Sequence, residues 1–421
     1  MKVYPLAQEF AQKLLNFIDD SPTPWHVVAN AKKILKTNGF ESFDFENLKA
    51  GGKYFFKKNG ALIAFCLGNK KPGNGIPLIA THTDSPGLRL KSKPLTLSKK
   101  TALLEPEIYG SPILATFADR DLSLAGRVID SNLNIHLVDF KTPLCRFINL
   151  PIHFMRDANK EGLSYRPHKE INLIWADLNF SDNADFNHFL EKHIKKEILS
   201  FDMIAYPTEK GSIWGLHQEF IAHRQLDNLI STFCALESFA EDNNEKTKIL
   251  ALFDHEEIGS LSDSGAASIL IADILEIIFE FYNSKAAEKL KIKDKSFIIS
   301  ADASHAFHPN YLEKFDFQYT NHVNRGVTIK IHRGRRYMSD FQYIAQIKKI
   351  LKTNNIPLQI YEQKANIPAG STVGPILNAD LAIGGVDFGV PVWAMHSARE
   401  SAGVLDCFYL KSACRAFLND F

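Results

Sequence analysis

The sequence predicts an α/β protein in which a mostly parallel sheet is sandwiched by helices and carries an inserted β-rich domain. Beyond about residue 213, apolar runs of strand length alternate with runs of helical spacing, which is typical of a parallel sheet covered on both faces. Residues 91–212 lose that alternation, and their short β-type runs lie among proline, glycine and charged residues. We therefore assign residues 1–90 and 213–421 to one domain and residues 91–212 to the insertion.

The composition is that of a folded protein with no bias toward anionic partners. Of the 421 residues, 45% are hydrophobic and 11% aromatic, which is enough for a sizeable core and more than one domain. The 49 Lys+Arg and 48 Asp+Glu give a formal net charge of +1. The overall charge therefore favours neither nucleic acid nor an anionic membrane surface as a partner, and a near-neutral catalyst or binding protein fits better.

The cysteines and the apolar segments indicate a cytoplasmic protein. The five cysteines are odd in number and scattered, with no Cys-x-x-Cys spacing, so we expect buried reduced thiols. Residues 1–20 have the spacing of an amphipathic helix rather than that of a secretory signal. No stretch is long and apolar enough to cross a bilayer.

The first half of the chain is predicted to begin with two helices, followed by two strands and the insertion. A Ser-Pro-Thr-Pro turn at residues 21–24 separates the two helical segments. The segments are helices Pro5–Ile18 and Trp25–Thr37, strands Ala61–Leu67 and Ile76–Thr81, and the β-type runs Leu122–Val128 and Phe147–Phe154 of the insertion.

The second half is predicted to alternate between helices and strands. The predicted helices are Leu226–Ala240, Gly265–Phe281, Phe341–Thr353 and Val404–Leu418. The predicted strands are Lys248–Phe253, Ser296–Ala301, Val327–Ile331, Gln359–Tyr361 and Val392–Met395. Because the carboxyl ends of parallel strands form the ligand-binding edge of such a sheet, polar residues that follow these strands are the candidate site.

The most informative strand end carries Glu256 and Glu257. The two carboxylates repel each other, so placing both in a cleft is costly unless a cation takes one and leaves the other as a base. A solvated acidic turn is the alternative for an isolated Glu-Glu pair. His82 also follows a strand, and Asp84 two residues later can accept its second imidazole N–H and orient the ring.

Other strand and helix ends supply further acidic and histidine residues. Asp227 opens a helix, Asp302 ends a strand and His396 ends the last strand. Two histidines, three carboxylates and one spare glutamate match the requirements of a two-metal hydrolase, in which each zinc takes an imidazole and a carboxylate and a third carboxylate bridges them. From spacing alone this stays a hypothesis.

The sequence resembles the aspartyl aminopeptidase and aminopeptidase I family of metallo-aminopeptidases over nearly its whole length. Several long motifs occur in the family's order. They are Ser-Pro-Thr-Pro-Trp-His at 21–26, His-Thr-Asp-Ser-Pro-Gly at 82–87, Asp-Arg-Asp-Leu-Ser-Leu-Ala-Gly-Arg at 119–127, Leu-Asp-Asn-Leu at 226–229, Glu-Glu-Ile-Gly-Ser at 256–260, Ser-Ala-Asp at 300–302 with His305 and His-Pro-Asn-Tyr at 308–311, Gly-Ser-Thr-Val-Gly-Pro at 370–375 and Met-His-Ser-Ala-Arg-Glu at 395–400.

The resemblance implies a role for each predicted site residue. His82 and Asp302 would hold one zinc, Glu257 and His396 the other, and Asp227 would bridge them. Two Zn²⁺ per subunit are implied, with Co²⁺ or Mn²⁺ as possible substitutes. Glu256 would be the general base that moves a proton from a zinc-activated water to the leaving amine, and Asp84 would orient His82.

The resemblance also implies an assembly and a peptide specificity. The insertion would be an oligomerisation domain, and its His153 would reach the active site of a neighbouring subunit within a tetrahedral dodecamer. Lys330 would lie near the side chain of the first residue of the peptide substrate and favour Asp or Glu there. From local sequence, His153 also fits a hydrogen-bonded histidine at a sheet edge, and Lys330 a solvated or internally paired lysine.

Departures from the family pattern keep other specificities open. Gln225 and Asn366 stand where the family usually has an arginine and an acidic residue, so a preference for neutral or hydrophobic first residues is an alternative. A zinc deacylase or carboxypeptidase on the same fold and a non-catalytic assembly protein are two further alternatives. The motifs of the insertion argue against the first, and the unligated Glu256 argues against the second.

Overall fold

The computed structural model describes residues 3–180, 184–242 and 245–421. The helices are α1 Tyr4–Asp19, α2 Pro24–Thr37, α3 Leu114–Phe117, α4 Ala158–Glu161, α5 Pro167–Glu170, α6 Phe186–Ile194, α7 Leu226–Glu241, α8 Leu270–Phe281, α9 Ala286–Lys295, α10 Phe341–Thr353, α11 Val373–Leu381 and α12 Val404–Asp420. None of the helices in these ranges has both the length and the apolar composition needed to span a membrane.

The strands within the described ranges form three sheets of nine, six and five strands. They are β1 Glu41–Ser42, β2 Lys53–Lys58, β3 Ala61–Cys66, β4 Pro77–His82, β5 Gly87–Ser98, β6 Thr101–Tyr109, β7 Leu122–Asp130, β8 Ile135–Asp139, β9 Leu173–Asp177, β10 Ile198–Pro207, β11 Ser212–Trp214, β12 Phe220–His223, β13 Lys248–Phe253, β14 Phe297–Ala301, β15 Ser304–His305, β16 Val327–Ile331, β17 Leu358–Glu362, β18 Gly385–Gly389, β19 Pro391–Trp393 and β20 Glu400–Gly403.

The nine-stranded sheet is the centre of the molecule, in the order β1-β2-β3-β13-β4-β14-β18-β16-β17. The four strands β13, β4, β14 and β18 run parallel to one another. β16 and β17 are parallel to each other, but β16 runs antiparallel to β18. The predicted α/β class with a mostly parallel sheet is therefore confirmed, although Val327–Ile331 runs opposite to the central strands.

Helices cover both faces of this sheet because the central strands are apolar on both sides. In β13, Leu250 and Leu252 point into one hydrophobic core, whereas Ile249, Ala251 and Phe253 point into another. The first core is closed by α1, α2, α7, α10 and α12, and the second by α8, α9 and α11. The sheet is thus buried between two helical layers, which leaves the strand ends as the accessible polar edge.

The six-stranded sheet contains strands from residues 87–207 in the order β8-β7-β10-β5-β6-β9 and encloses a third core. Each adjacent pair in it is antiparallel. The predicted strand at Phe147–Phe154 is wrong. The isolated bridges of Cys145 and Arg146 lie just before this run, and Ile152–Phe154 is a short 3₁₀ turn, because Pro151 and exposed side chains interrupt the apolar run.

The five-stranded sheet, in the order β11-β12-β20-β19-β15, lies outside the central sheet. The strand predicted at Val392–Met395 is β19, and it pairs with β15 and β20 rather than extending the nine-stranded sheet. The expectation that His396 ends a strand of the main sheet is therefore wrong. His396 lies in a turn between β19 and β20 and adopts a positive φ of 67°.

Candidate metal centre

One cleft at the edge of the central sheet collects the predicted metal-binding residues. His82 ends β4, Glu256 and Glu257 follow β13, and Asp302 follows β14. The cleft has a volume of about 290 Å³, and its lining includes these residues together with Asp227, His396, Lys330, His305 and Tyr337. Three neighbouring parallel strands therefore place their terminal polar residues at one edge, as expected for this class of sheet.

The first group of donor atoms surrounds the Nε2 atom of His82. Oδ1 of Asp227 and Oδ1 of Asp302 each lie 3.5 Å from this nitrogen. Oε2 of Glu256 is farther away, at 3.9 Å. Donor atoms bound to zinc at about 2.0–2.1 Å with tetrahedral angles are separated by about 3.4 Å, so the distances from His82 to Asp227 and to Asp302 match those between zinc ligands. Within 4.8 Å of one another lie the donor atoms of His82, Glu256 and Asp302, and likewise those of His82, Asp227 and Glu257.

The second group surrounds the Nε2 atom of His396. Oε2 of Glu257 lies 3.5 Å from it and Oδ2 of Asp227 lies 3.7 Å from it. The two oxygens of Asp227 thus face different imidazoles, which is the arrangement of a bridging carboxylate. Oδ1 of Asp227 is buried and has no hydrogen-bond partner among the described residues, as expected for an atom that a cation would satisfy.

Hydrogen bonds at the far side of each ring direct both Nε2 atoms into the cleft. Nδ1 of His82 lies 3.1 Å from the carbonyl oxygen of Asp84 and 3.4 Å from its Oδ1. Nδ1 of His396 lies 3.0 Å from the carbonyl oxygen of Ser111. Each Nδ1 therefore carries the proton and donates it, which leaves each Nε2 lone pair free to bind a metal.

The side chain of Asp84 does more than orient His82. Its Oδ1 accepts the backbone N–H of Glu256 and its Oδ2 accepts that of Glu257, both at 3.1 Å. The hydroxyl of Tyr109 donates to the same Oδ2 at 2.8 Å. Asp84 is 1% exposed, so this buried carboxylate fixes the turn that carries both glutamates.

The turn that carries His396 is attached to residues 111–116. Ile113 donates its backbone N–H to the carbonyl oxygen of His396 at 2.9 Å. Oγ1 of Thr116 accepts the backbone N–H of Ala398 at 2.8 Å. Together with the Ser111 contact, these bonds connect the second donor group to the segment that follows β6.

The crowding of carboxylates changes their protonation in a way that favours a cation. Burial raises the pKa of Glu256 to about 8, and the charges of Asp302 and Asp84 add to this effect, whereas His82 opposes it. Burial also raises the pKa of Glu257 well above its usual range, with Asp227 contributing. A divalent cation bound between these groups would offset the repulsion and restore the carboxylate forms.

Lys330 is paired inside the protein. Its Nζ donates to Oδ2 of Asp302 and to the carbonyl oxygen of Ala303, both at 3.0 Å, and its side chain is buried. Lys330 pairs with Asp387 of the antiparallel neighbour β18, and its long side chain lines the cleft. The ammonium, together with His82, lowers the pKa of Asp302 against the effect of burial.

His153 lies apart from the cleft within its own subunit. It is exposed on the 3₁₀ turn Ile152–Phe154 and does not line the metal-binding cleft. The alternative of a hydrogen-bonded histidine at a sheet edge does not describe this position, because no strand forms there.

Sequence reasoning missed Glu400, whose carboxylate accepts the backbone N–H groups of Asp227 and His396. It also missed Tyr109, which donates to Asp84. The contact between Glu400 and Asp227 spans 173 positions of the sequence, so no local pattern could have shown it. The only local signal was an acidic residue four positions after His396 in a motif quoted for the family resemblance.

Comparison with known proteins shows the family to which this chain is similar. A family model described as aminopeptidase I zinc metalloprotease (M18) matches residues 17–418. A probable M18 family aminopeptidase 2 from Clostridium acetobutylicum is 38% identical, and the alignment covers 98% of this chain and 99% of that protein. Another, from Ectopseudomonas mendocina, is 35% identical over 98% of each.

Solved structures show the same fold. A chain of the cryo-EM structure of the Ape4 and Nbr1 complex superposes with a TM-score of 0.92 at 34% identity, covering 99% of this chain and 86% of that chain. An M18 aminopeptidase from Thermotoga maritima gives a TM-score of 0.89 at 20% identity, covering 99% and 97%. The mApe1 dodecamer of S. cerevesiae gives 0.83 at 23% identity, also covering 99% and 97%.

Proposed function

Because the chain belongs to the aminopeptidase I (M18) family of zinc metalloproteases, we propose that it uses two zinc ions per subunit to remove acidic residues from the N-terminus of peptides. The observation that carries the two-zinc proposal is the position of Asp227. Its two carboxylate oxygens lie 3.5 Å and 3.7 Å from the Nε2 atoms of two different histidines. Co²⁺ or Mn²⁺ would suit the same mixture of imidazole and carboxylate donors.

The residues of the chain divide the work of hydrolysis between them. His82, Asp302, Glu257 and His396 would hold the ions in pairs, with Asp227 shared. Zinc, when bound, polarises the scissile carbonyl and lowers the pKa of water. Glu256 remains for proton transfer, since its Oε2 lies farther from Nε2 of His82 than the nearest oxygens of Asp227 and Asp302 do, and a carboxylate beside the metal can take a proton from water and give it to the leaving amine.

The preference for an acidic first residue depends on Lys330. Two of its ammonium hydrogens are directed at Asp302 and Ala303, and a third remains for a ligand in the cleft that Lys330 and Tyr337 line. A charge-assisted hydrogen bond to a substrate carboxylate is worth about 1.5–3 kcal/mol, or roughly ten- to a hundredfold in preference. The internal pairing of Lys330 with Asp302 is the observation that favours the second candidate, a preference for neutral first residues.

The proposed enzyme is a cytoplasmic homo-oligomer. All five cysteines are free and buried, which suits a reducing compartment. The relative from S. cerevesiae is described as a dodecamer, and we extend a tetrahedral dodecamer to this chain, with the insertion of residues 91–212 as its oligomerisation domain. In that assembly the exposed His153 would complete the active site of a neighbouring subunit.

A substrate panel tests the reaction and its specificity. Aminoacyl chromogenic substrates that begin with Asp, Glu, Leu or Ala are assayed with and without a chelator, alongside the N-acetylated Asp substrate. We expect cleavage only of free-amine substrates, loss of activity on chelation and recovery with zinc. Cleavage that survives full removal of the metal would reject the proposal, and release of acetate from the acetylated substrate would indicate the deacylase alternative.

A single variant tests the role of Lys330. Lys330→Met keeps the length and apolar stem of the side chain but removes the ammonium, so the Asp/Leu ratio of kcat/KM is expected to fall by roughly ten- to a hundredfold. If the wild type prefers the Leu substrate, or if the variant lowers kcat/KM equally for the Asp and Leu substrates, Lys330 serves only as the partner of Asp302.

A further inference from the structure

Glu400 joins two residues that are distant in sequence but adjacent in the metal centre. It is the first residue of β20 and is 1% exposed. Its Oε2 accepts the backbone N–H of Asp227 at 2.9 Å, and its Oε1 accepts the backbone N–H of His396 at 2.7 Å. One carboxylate thus holds the backbone of the bridging ligand and that of the second histidine at the same time.

Both of these N–H groups lie where regular secondary structure supplies no acceptor. Asp227 lies in the first turn of α7 with non-helical dihedral angles, φ −79° and ψ 110°. His396 has a φ of 67° in the turn between β19 and β20. N–H groups in the first helical turn have no partner within the helix, and a buried N–H without an acceptor is costly. Glu400 satisfies both and also fixes the distance between them.

We propose that Glu400 is a positioning residue that sets the affinity of the second metal site, the one formed by His396, Glu257 and the shared Asp227. The inference rests on the proposed two-zinc function. Glu400 does not itself face the cleft, so it would act through the two ligands. Groups that orient metal ligands typically change metal affinity by roughly 10- to 100-fold when they are removed.

The first metal site has a separate support. His82 is oriented by Asp84, which also accepts the backbone N–H groups of Glu256 and Glu257. Asp302 is held by Lys330 through its Oδ2. Glu400 contacts neither Asp84 nor Lys330, but it holds the shared Asp227 as well as His396, so its loss should weaken the second site more than the first.

The test is the variant Glu400→Gln, which preserves size and shape. A glutamine offers one oxygen and one NH₂ group, so it can accept only one of the two N–H groups and directs a donor at the other. Zinc affinity is measured by competition with a chromogenic chelator, which resolves two binding steps in the wild type. We expect one step to weaken by roughly 10- to 100-fold and the other, which depends on Glu400 only through Asp227, to weaken by a clearly smaller factor. Turnover lost at limiting zinc should return when zinc is added.

A matched control separates positioning from general stability. Asp406 is also a fully buried carboxylate that accepts two backbone N–H groups, those of Asn324 and Gly326, but it holds no proposed ligand. Asp406→Asn should leave both zinc affinities unchanged. Glu400→Asp, which keeps the charge but shortens the reach by one methylene, should weaken the same step as Glu400→Gln and provides a second measurement if the amide variant does not fold.

The outcomes distinguish this inference from the proposed function. A wild type that binds only one zinc would overturn the two-zinc proposal itself. A wild type with two sites whose affinities do not change in either Glu400 variant would overturn the positioning role alone. Equal weakening of both sites, or the same weakening in Asp406→Asn, would overturn the preferential role of Glu400 at the second site.

Discussion

Glu256 and Glu257 are neighbours in the sequence, yet their side chains face different histidines. Their 3₁₀ turn follows β13, and successive residues of such a turn point about 120° apart. Oε2 of Glu257 lies 3.5 Å from Nε2 of His396, whereas Oε2 of Glu256 lies 3.9 Å from Nε2 of His82. The local backbone therefore gives two identical residue types two chemical environments.

The first prediction uses this difference. Glu256→Gln should retain both zinc ions but lose roughly 10²- to 10⁴-fold in kcat, because an amide cannot take a proton from water. Glu257→Gln is the matched control, and it should lower the zinc content, since it weakens a ligand. Elemental analysis and steady-state kinetics measure both effects. Near wild-type turnover in Glu256→Gln would show that another group is the base.

At this scale the sequence indicated candidate residues for metal binding and proton transfer, and Asp84 as the group that orients His82, but it did not indicate Glu400 or Tyr109. Acidic and histidine residues at apolar strand ends are visible without a structure, because burial of such groups demands a physical reason. The structure brings His82, Asp227, Glu257, Asp302 and His396 together, and their roles remain proposals. The hydrogen bonds of Glu400 depend on the tertiary fold, which local patterns do not record.

At the scale of secondary-structure elements, the pattern of apolar residues predicted the positions of strands better than the directions in which they run. The strand at Val327–Ile331 was located correctly, but its antiparallel direction was not visible, since the residues of a buried strand are apolar whichever way it runs. The β-type run at Phe147–Phe154 was misread for a related reason. Apolar side chains that are exposed on a subunit resemble those of a strand when only the sequence is known.

A second prediction concerns the contact between α1 and β12. Nδ1 of His223 accepts the backbone N–H of Arg224, and Nε2 lies 3.0 Å from Oδ1 of Asp19. Protonation of Nδ1 would break the first contact. Burial lowers the pKa of His223 to about 4, although Asp19 opposes the shift. In the unfolded chain this imidazole is protonated below about pH 6.5, whereas in the folded state it stays neutral to a lower pH.

The stability due to neutral His223 is fully present above about pH 6.5 and is lost as the pH falls toward 4. The loss approaches about 1.4 kcal/mol per pH unit within that window. Thermal unfolding of the zinc-saturated protein at pH 5 and pH 7 should show a smaller acid-induced decrease in Tm for His223→Gln than for the wild type. His217→Gln, at an exposed position, should match the wild type. An undiminished decrease in His223→Gln would exclude this histidine as a source of acid sensitivity.

At the scale of the whole molecule, the order of the motifs identified the family, and the two helical layers around the central sheet confirmed the predicted class. The domain boundaries at residues 91 and 212 stay a prediction, and the six-stranded sheet already begins at Gly87 and ends at Pro207. The 3₁₀ turn within the insertion carries exposed Ile152 and Phe154 on either side of His153. Together with the exposed Ile148 and Leu150 they form an apolar stretch of the insertion, a feature of surfaces that contact another protein.

The third prediction is that the active form is larger than one 47.4 kDa subunit and that His153 acts between subunits. His153→Ala should lower kcat without lowering zinc content or the mass of the oligomer, because its side chain would act on the substrate of a neighbour. His168→Ala, another exposed histidine of the insertion, is the control and should have no effect. Light scattering coupled to an activity assay makes the measurement, and a fully active 47.4 kDa species would contradict it.

The turn that carries His396 is held by hydrogen bonds from a distant part of the sequence, residues 111–116, and this links metal binding to the packing of that segment. Metal binding and the docking of this segment share three hydrogen bonds, those of Ser111, Ile113 and Ala398. The two equilibria are thermodynamically linked. If docking of this segment increases the affinity for zinc by a given factor, zinc binding favours the docked segment by the same factor. Removing zinc should therefore speed amide hydrogen exchange at Ile113 and Ala398, while amides in the buried strand β13 keep their protection. In the proposed site, the metal would therefore stabilise the contact between residues 111–116 and the turn of His396. Its loss would destabilise this contact as well as abolish activity.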